Sequence, residues 1–425
     1  MFDVLIVGGG AAGFYAAIHI AEGNRKLKVA ILERGKEVLT KVKVSGGGRC
    51  NVTHAEFVPS ELVKNYPRGE KELLGPFYSY CTGDTVQFFE DRNVPLKIED
   101  DGRMFPISNS SQTIIDCFLN EADRLGVEVF RHSSVTKIEP VQAENNSFWK
   151  VTSIKKTYKT KKLLVATGSN PKIWSLLKTL GHTIDKPIPS LFTFNIKDSR
   201  IKDIQGLSAN ARVSVLKSNL NSKVTISLSS ARKGDTILTE EGPVLITHWG
   251  MSGPAILRLS AWGAKVLNEK DYNFSIRINW LPEYHEASVI DLLMEIKEVE
   301  SKKTVLRTKA VDLPRRLWTN LVKASGIVPE TTWADVSKEL LQKLALQLTR
   351  SEFKVEGKST FKEEFVTAGG ISLKEINFKT LESKLQPNLF FAGEIINVDA
   401  ITGGFNFQNA WTGGYIAAQG IINSV

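Results

Sequence analysis

The sequence predicts an α/β domain split by an insert that is first β-rich and then helical. Three observations predict it. A short apolar run at 2–7 breaks into glycines and is followed by a second apolar run ending at Glu33. From 191 to about 280 the apolar residues alternate, as in Phe192, Phe194 and Ile196, or Val213 and Val215, or Val224, Ile226 and Leu228. From 286 to about 348 they take helical spacing, as in Ile290, Leu293 and Met294, then Leu317, Leu321 and Val322, then Leu340, Leu341, Leu344 and Leu348.

The first 34 residues read as strand, tight turn, helix, strand. Gly8-x-Gly10-x-x-Gly13 is the dinucleotide fingerprint. Gly8 allows the turn, Gly10 lets the backbone approach a pyrophosphate, and Gly13 lets the helix pack closely. The helix start, with Ala11 and Ala12, offers free N–H groups and a positive dipole end to phosphates. Glu33, with Arg34 beside it, lies twenty residues past Gly13, where an acid bonds ribose hydroxyls. A carboxylate there repels a 2′-phosphate, so FAD or NAD is expected rather than NADP.

The first helix is expected to end at Gly23 in a left-handed cap. Residues 110–125 have one apolar helical face, formed by Ile114, Ile115, Phe118, Leu119 and Ala122. Strands are expected at 127–130, 135–138 and 163–166, the last running into Thr167-Gly168. A short helix is expected after Pro254. Residues 351–364 read as a returning strand or loop, and 389–392 as a buried strand ending at Gly393-Glu394. The resulting organisation is a nucleotide domain at 1–190 and 365–425, a β subdomain at 191–285, a helical subdomain at 286–350 and a return segment at 351–364.

At 425 residues and 42% hydrophobic content, two or three domains with sizeable cores are expected. No stretch is apolar enough to span a membrane, and the N-terminal apolar run is a strand rather than a signal peptide. Three cysteines without metal-ligand or CxxC spacing suit a reducing cytoplasm, and six histidines show no HxH or HExxH cluster, so no metal is expected. The net charge of +9 permits loose attraction to acidic partners. The densest basic stretch, 150–162, alternates with Val151, Ile154 and Tyr158 and reads as a solvated hairpin; a nucleic-acid patch is the less favoured alternative.

Four further segments read as functional. In Ser45-Gly46-Gly47-Gly48-Arg49-Cys50-Asn51 three successive glycines suit close passage of backbone against a flat ring or anion, with Arg49 supplying charge. Cys50 has no adjacent activating group and reads as a small buried wall residue. The Thr167-Gly168 turn and the Gly393-Glu394 strand end are expected to meet the cofactor, Glu394 at its ribityl or pyrophosphate region. Gly403, Gly404, Phe405 and Asn406 open the last helix. Its dipole would stabilise negative charge at the N1–C2 carbonyl edge of a reduced flavin. His248 and Arg103 are the catalytic candidates, as an acid/base group and an anion contact. A structural histidine and a surface turn are their competing assignments.

GGGAAG at 8–13, SGGGRCN at 45–51, GRxFP at 102–106, ATG at 166–168, THxGxSGP at 247–254 and FAGE…TGGFNxQ at 391–408 together resemble the bacterial HI0933-like flavoproteins. That family includes BaiN-type proteins and aminoacetone oxidase. The resemblance spans nearly the whole chain. It implies FAD held in a glutathione-reductase-like domain, with an inserted β-barrel and a helical subdomain, and Val135 joins the cofactor-binding set. The chain departs from the family at Ser169, Asn397 and Ala400. The expected function is an FAD-dependent oxidoreductase acting on a small molecule, by family resemblance an amine oxidase. The alternatives are an NAD(P)H-dependent reductase of an unsaturated ring or enone, and a non-catalytic flavin-bearing RNA-associated protein. One fingerprint rather than two leaves NAD(P)H or O2 as a transient electron partner. The substrate is expected between flavin and insert, and nucleic acid is not the expected partner.

Overall fold

The computed structural model describes residues 1–142, 147–217, 235–359 and 366–424. The chain divides into two units, Met1–Ile188 with Lys362–Val425, and Pro189–Phe361.

The first unit is built on a parallel ladder. The strand Phe2–Val7 lies between Val29–Leu32 and Thr157–Val165, with Glu128–Phe130 and Leu389–Phe391 beyond them. Val4 to Val7 and Val29 to Leu32 are buried throughout, as a sheet covered on both faces requires. Leu389 to Phe391 pair with Leu163 to Val165, so a segment from late in the chain completes a sheet begun at residue 2. The helices Ala11–Gly23 and Phe405–Ile422 pack against each other through a glycine: a Cβ on Gly414 would lie 3.0 Å from the Ala12 carbonyl oxygen.

The expected left-handed cap at Gly23 is absent. The helix does end there, but its cap residue is Asn24 in extended backbone, with φ −148°. Gly23 has a packing role instead, because a Cβ there would meet Ile422 Cδ1 at 2.5 Å.

The basic stretch at 150–162 is a hairpin. Val135–Val141, Phe148–Ser153 and Thr157–Val165 form an antiparallel meander joined to the main sheet through the third strand. Between residues 40 and 106 the structure adds the helices Thr40–Gly48, Glu70–Ser79 and Thr82–Glu90 and a small three-stranded sheet. These helices are only nine or ten residues long, and Glu70–Ser79 contains Pro76, which hid its period.

The second unit is a curled sheet with helices. Its strand path runs Ser351–Glu356, Asn273–Asn279, Ser208–Leu216, Thr236–Ile246, Gly250–Ser252, Thr193–Asn195, Lys358–Ser359. The first and last segments of that path are consecutive in sequence. Gly357, at φ +102°, bends the chain between them, and its carbonyl accepts a bond of 3.1 Å from Asn195 N–H. One bent strand therefore closes the sheet on itself. The helices Glu286–Val299, Arg315–Ala324 and Lys338–Thr349 share this unit's core, with Trp333 and Trp280 fully buried. The expected strand residues Val224, Ile226 and Leu228, and positions 360–364 of the return segment, lie outside the described residues.

Candidate functional site

The fingerprint glycines divide into two kinds. Gly8 has φ +116°, and a Cβ there would sit 2.3 Å from the Ala166 carbonyl oxygen and 2.9 Å from Thr167 N. A Cβ on Gly13 would sit 2.0 Å from the Gly8 carbonyl oxygen. Both are glycine because protein backbone fills the space. Gly10 differs. Its φ is −96°, which any residue adopts, and a Cβ there would meet nothing within 4 Å. Packing does not exclude a side chain at that helix N-cap, so the bare backbone there is open to a ligand.

Glu33 stands beside this turn. Its carboxylate accepts from Gly9 N–H at 2.9 Å and from Gly35 N–H at 2.7 Å, one bond on each oxygen. A carboxylate has about four acceptor positions, so two stay available. Arg34 is exposed, and Val135 is buried at the start of the meander. Thr167 and Gly168 lie against the Gly8 turn, and the buried Thr167 hydroxyl has no protein partner. Ala12 touches Gly393, whose Cβ would be 3.2 Å from its own. Glu394 approaches Gly168 and forms an ion pair with Lys41. Lys41 carries no motif and was missed in the sequence.

From Lys41 the chain runs into the glycine loop. The helix Thr40–Gly48 breaks at Ser45 to Gly47, and Gly46, Gly47 and Gly48 all have positive φ (57°, 69° and 84°). A Cβ on Gly46 would meet Asn51 N and Phe105 Cε1 at 2.9 Å, whereas on Gly47 and Gly48 it would meet nothing within 4 Å. Backbone is again left bare on one side.

Side chains of this loop are more committed than the sequence suggested. Arg49 donates to Glu99 at 2.6 Å and lies 3.9 Å over the Phe105 ring, so its charge is already balanced. Arg103 bonds Asp101 at 2.7 Å and Glu99 at 3.3 Å. Cys50 is fully buried, and burial pushes its thiol up to about 12, as suits a wall residue. The Asn51 amide accepts from Gly404 N–H and donates to the Thr53 carbonyl, both at 3.0 Å.

The last helix begins in the same neighbourhood. His54 Nδ1 lies 3.1 Å from the Gly403 carbonyl oxygen, and its ring stacks on Phe405 at 4.5 Å. Gly404, at φ +97°, packs on backbone: a Cβ there would lie 2.6 Å from the Thr53 carbonyl. Asn406 is not available to a ligand through its side chain. Its amide clamps Ala400, accepting from the N–H at 3.0 Å and donating to the carbonyl at 3.1 Å. Gln408 is likewise occupied, by Thr53, Thr85 and Thr412. What the helix start can offer is backbone.

Two buried polar contacts hold the 395–401 segment in place. Asp399, fully buried, pairs with Arg68 through two bonds. An acid within the apolar stretch Ile395-Ile-Asn-Val-Asp-Ala-Ile401 was the signal, but its partner lies 331 residues away. Asn397 donates to Asp185 at 2.5 Å. A carboxylate at 397 would face a like charge there.

His248 is exposed in the second unit, at a turn closed by the Thr247 N–H bond to Gly250 at 2.8 Å. Among the described residues no cluster of His, Cys, Asp and Glu suits a metal ion, and no helix is long and apolar enough to cross a membrane.

The model of the HI0933-like protein Rossmann domain matches residues 2–420. The chain belongs to the HI0933-like family. This is a family of FAD-dependent oxidoreductases, so FAD is the cofactor and redox catalysis the class. Among curated family relatives, the ribosomal RNA dihydrouridine synthase of Haemophilus influenzae is 27% identical over 98% of each chain. The 3-dehydro-bile acid delta(4,6)-reductase of Clostridium scindens is 25% identical over 97% of each. Among solved structures, the 3-ketosteroid delta1-dehydrogenase of Sterolibacterium denitrificans aligns over 100% of each chain with a TM-score of 0.51 at 10% identity, a likeness of fold.

Proposed function

We propose that this HI0933-like protein reduces a carbon–carbon double bond conjugated to a carbonyl. One observation carries it: two full-length relatives bear names for reactions that share this transformation. Making dihydrouridine saturates the ring double bond of uracil next to a carbonyl. A delta(4,6)-reductase acting on a 3-oxo steroid saturates double bonds conjugated to that oxo group. Neither name speaks for the amine oxidation that the resemblance first suggested.

The residues fit the cofactor. Gly10, Gly47 and Gly48 leave backbone bare where a Cβ would otherwise stand, and the Thr167 hydroxyl is an unclaimed donor. In this assignment the two free acceptor positions of Glu33 take ribose hydroxyls. The N–H groups after Gly10 take the pyrophosphate, where the helix dipole favours negative charge. Thr167, Gly168 and Glu394 with Lys41 line the middle. The Gly46 to Gly48 backbone and the start of the last helix, at Phe405 and Asn406, meet the ring system. Bound FAD supplies hydride exchange. Arg49 and Arg103 position the loop through Glu99 and Asp101 rather than acting as free charges.

The test starts from purified holoprotein. It should be yellow, with FAD released by acid precipitation. Anaerobically reduced protein is then mixed with a 4-en-3-one steroid, a uridine-containing rRNA fragment, or buffer, and flavin absorbance is followed. Reoxidation by either unsaturated compound but not by buffer is expected. Oxidised protein should not be bleached by primary amines. Bleaching by amines, with no reoxidation by either unsaturated compound, would overturn the proposal.

A further inference from the structure

We propose that Ser383, His182 and Glu375 form a latch beside the strand Leu389–Phe391, and that the latch opens when His182 takes up a proton, so that mild acid speeds the release of FAD. Two passes of the chain meet at the latch, one just after the helix Pro171–Thr179 and the other at 372–386. His182 is buried, with Nδ1 3.0 Å from Glu375 Oε2 and Nε2 3.0 Å from Ser383 Oγ. Its ring packs edge-on against Phe391 at 5.1 Å. Bonds from Ser372 N–H to the Thr183 carbonyl at 3.0 Å and from Gln386 Nε2 to the Leu180 carbonyl at 2.9 Å flank it.

The hydrogen bonds close only around a neutral imidazole. Ionised Glu375 accepts and cannot donate, so Nδ1 carries the hydrogen and Nε2 is the acceptor. Ser383 Oγ–H then donates to Nε2. Its two acceptor positions are taken by the N–H groups of Leu385 at 3.1 Å and Gln386 at 2.9 Å. A proton on Nε2 would set hydrogen against hydrogen, and Ser383 would have to turn and strand a backbone N–H. Burial also holds the imidazole below its ordinary range, and the nearby Glu375 charge only partly offsets this. Other charges on the surrounding elements are engaged or face solvent. Asp185 accepts from Asn397, Glu382 accepts from Asn388 N–H at 2.7 Å, and Lys178, Lys374, Lys379 and Lys384 are exposed.

The latched segment leads directly into Leu389–Phe391, which pairs with Leu163–Val165, and then into Gly393-Glu394. Loosening 372–386 therefore frees the start of the strand whose end carries those two residues. Such local opening needs less free energy than unfolding the whole unit. The latch goes beyond the double-bond proposal. Its link to FAD rests on the placement of Gly393 and Glu394 against the cofactor, whereas the opening itself does not.

The experiment uses FAD-loaded full-length protein at about pH 7.5 and 5.5. Hydrogen exchange of the Lys384, Leu385 and Gln386 amides, corrected for the intrinsic effect of pH, reports opening. The rise of flavin fluorescence on dilution reports FAD release. The opened histidine titrates near 6.5 and the latched one lower, so the latch is intact above about pH 6.5 and weakens as pH falls. Over this interval the opened population, and with it both rates, should rise up to about tenfold. Exchange of Val4–Val7 should not follow. His182→Phe should exchange and release FAD quickly at both pH values, within twofold of each other, and His19→Phe should keep the wild-type rise. The wild-type profile decides even if His182→Phe does not fold. Exchange that ignores pH, or that rises equally in Val4–Val7, would overturn the latch, as would a tenfold rise that persists in His182→Phe. Faster exchange without faster FAD release would overturn its link to the cofactor.

Discussion

Gly10 and Gly13 separate folding from cofactor binding within one turn. Gly10→Ala adds a methyl group in space that no protein atom occupies within 4 Å. The backbone at φ −96° accepts alanine without strain. Lower entropy of the unfolded chain stabilises the variant by about 0.4–1 kcal/mol, and alanine's weaker fit at an N-cap offsets a similar amount. Apoprotein stability should therefore stay within about 1 kcal/mol of wild type. FAD should suffer much more, because the methyl group holds the pyrophosphate off the helix N-terminus. Each bond lost to a charged group is worth about 1.5–3 kcal/mol, roughly 10- to 160-fold in affinity. Gly13→Ala should behave in the opposite way. Its methyl group would lie 2.0 Å from the Gly8 carbonyl oxygen, and the forced shift should cost the apoprotein about 1–3 kcal/mol or more. Thermal unfolding of the apoproteins and titration with FAD, followed by quenching of flavin fluorescence, measure both effects. FAD affinity within twofold of wild type in Gly10→Ala would refute the assignment of the bare backbone to the cofactor.

Three more outcomes are expected. Burial, assisted by the charge of Arg92, pushes the His19 imidazole down to about 3. The unfolded chain, with its histidine near 6.5, takes up a proton first, so stability is intact above about pH 6.5 and falls as pH drops toward 3. The loss at pH 5 is about 2 kcal/mol; urea unfolding of His19→Phe should show less acid sensitivity by that amount, and an unchanged slope would contradict it. Cys50 should resist alkylation at pH 8 in the folded protein, and Cys50→Ser should keep most turnover. A thousandfold loss with FAD still bound, about 4 kcal/mol of barrier, would make the thiol catalytic. Arg68→Leu should cost about 3–5 kcal/mol by stranding Asp399, and Arg68→Leu/Asp399→Leu should recover much of it. Denaturation of the two variants decides this, and equal losses would show that the pair is not coupled.

The sequence revealed the parts of the site that depend on local backbone. Gly8, Gly10 and Gly13 announce a turn because their spacing follows from a strand meeting a helix, and Glu33 falls at the end of the next strand. Residues whose role depends on a distant partner were not legible. The Asn406 side chain clamps Ala400 and leaves only backbone to face a ligand. At Gly404 the Thr53 backbone occupies the side-chain position, so packing alone already requires glycine there. Lys41 met Glu394 across 353 residues, a distance no motif encodes. In the insert, the alternation showed strands but not that the bend at Gly357 closes them.

The pairing of Leu389–Phe391 with the strand before Thr167, and of the last helix with the first, also dictates an order of events during synthesis. The opening strand, turn and helix leave the ribosome early with the fingerprint already formed in sequence. They must then wait while more than 350 residues follow, including the whole second unit. That unit closes through strands between 193 and 359 and needs nothing made later to do so. The first unit cannot be finished until residues near 420 have emerged. Translation that stops in the 380s would therefore leave the second unit closed and the first unfinished, with the buried faces of the first helix uncovered and exposed to quality control.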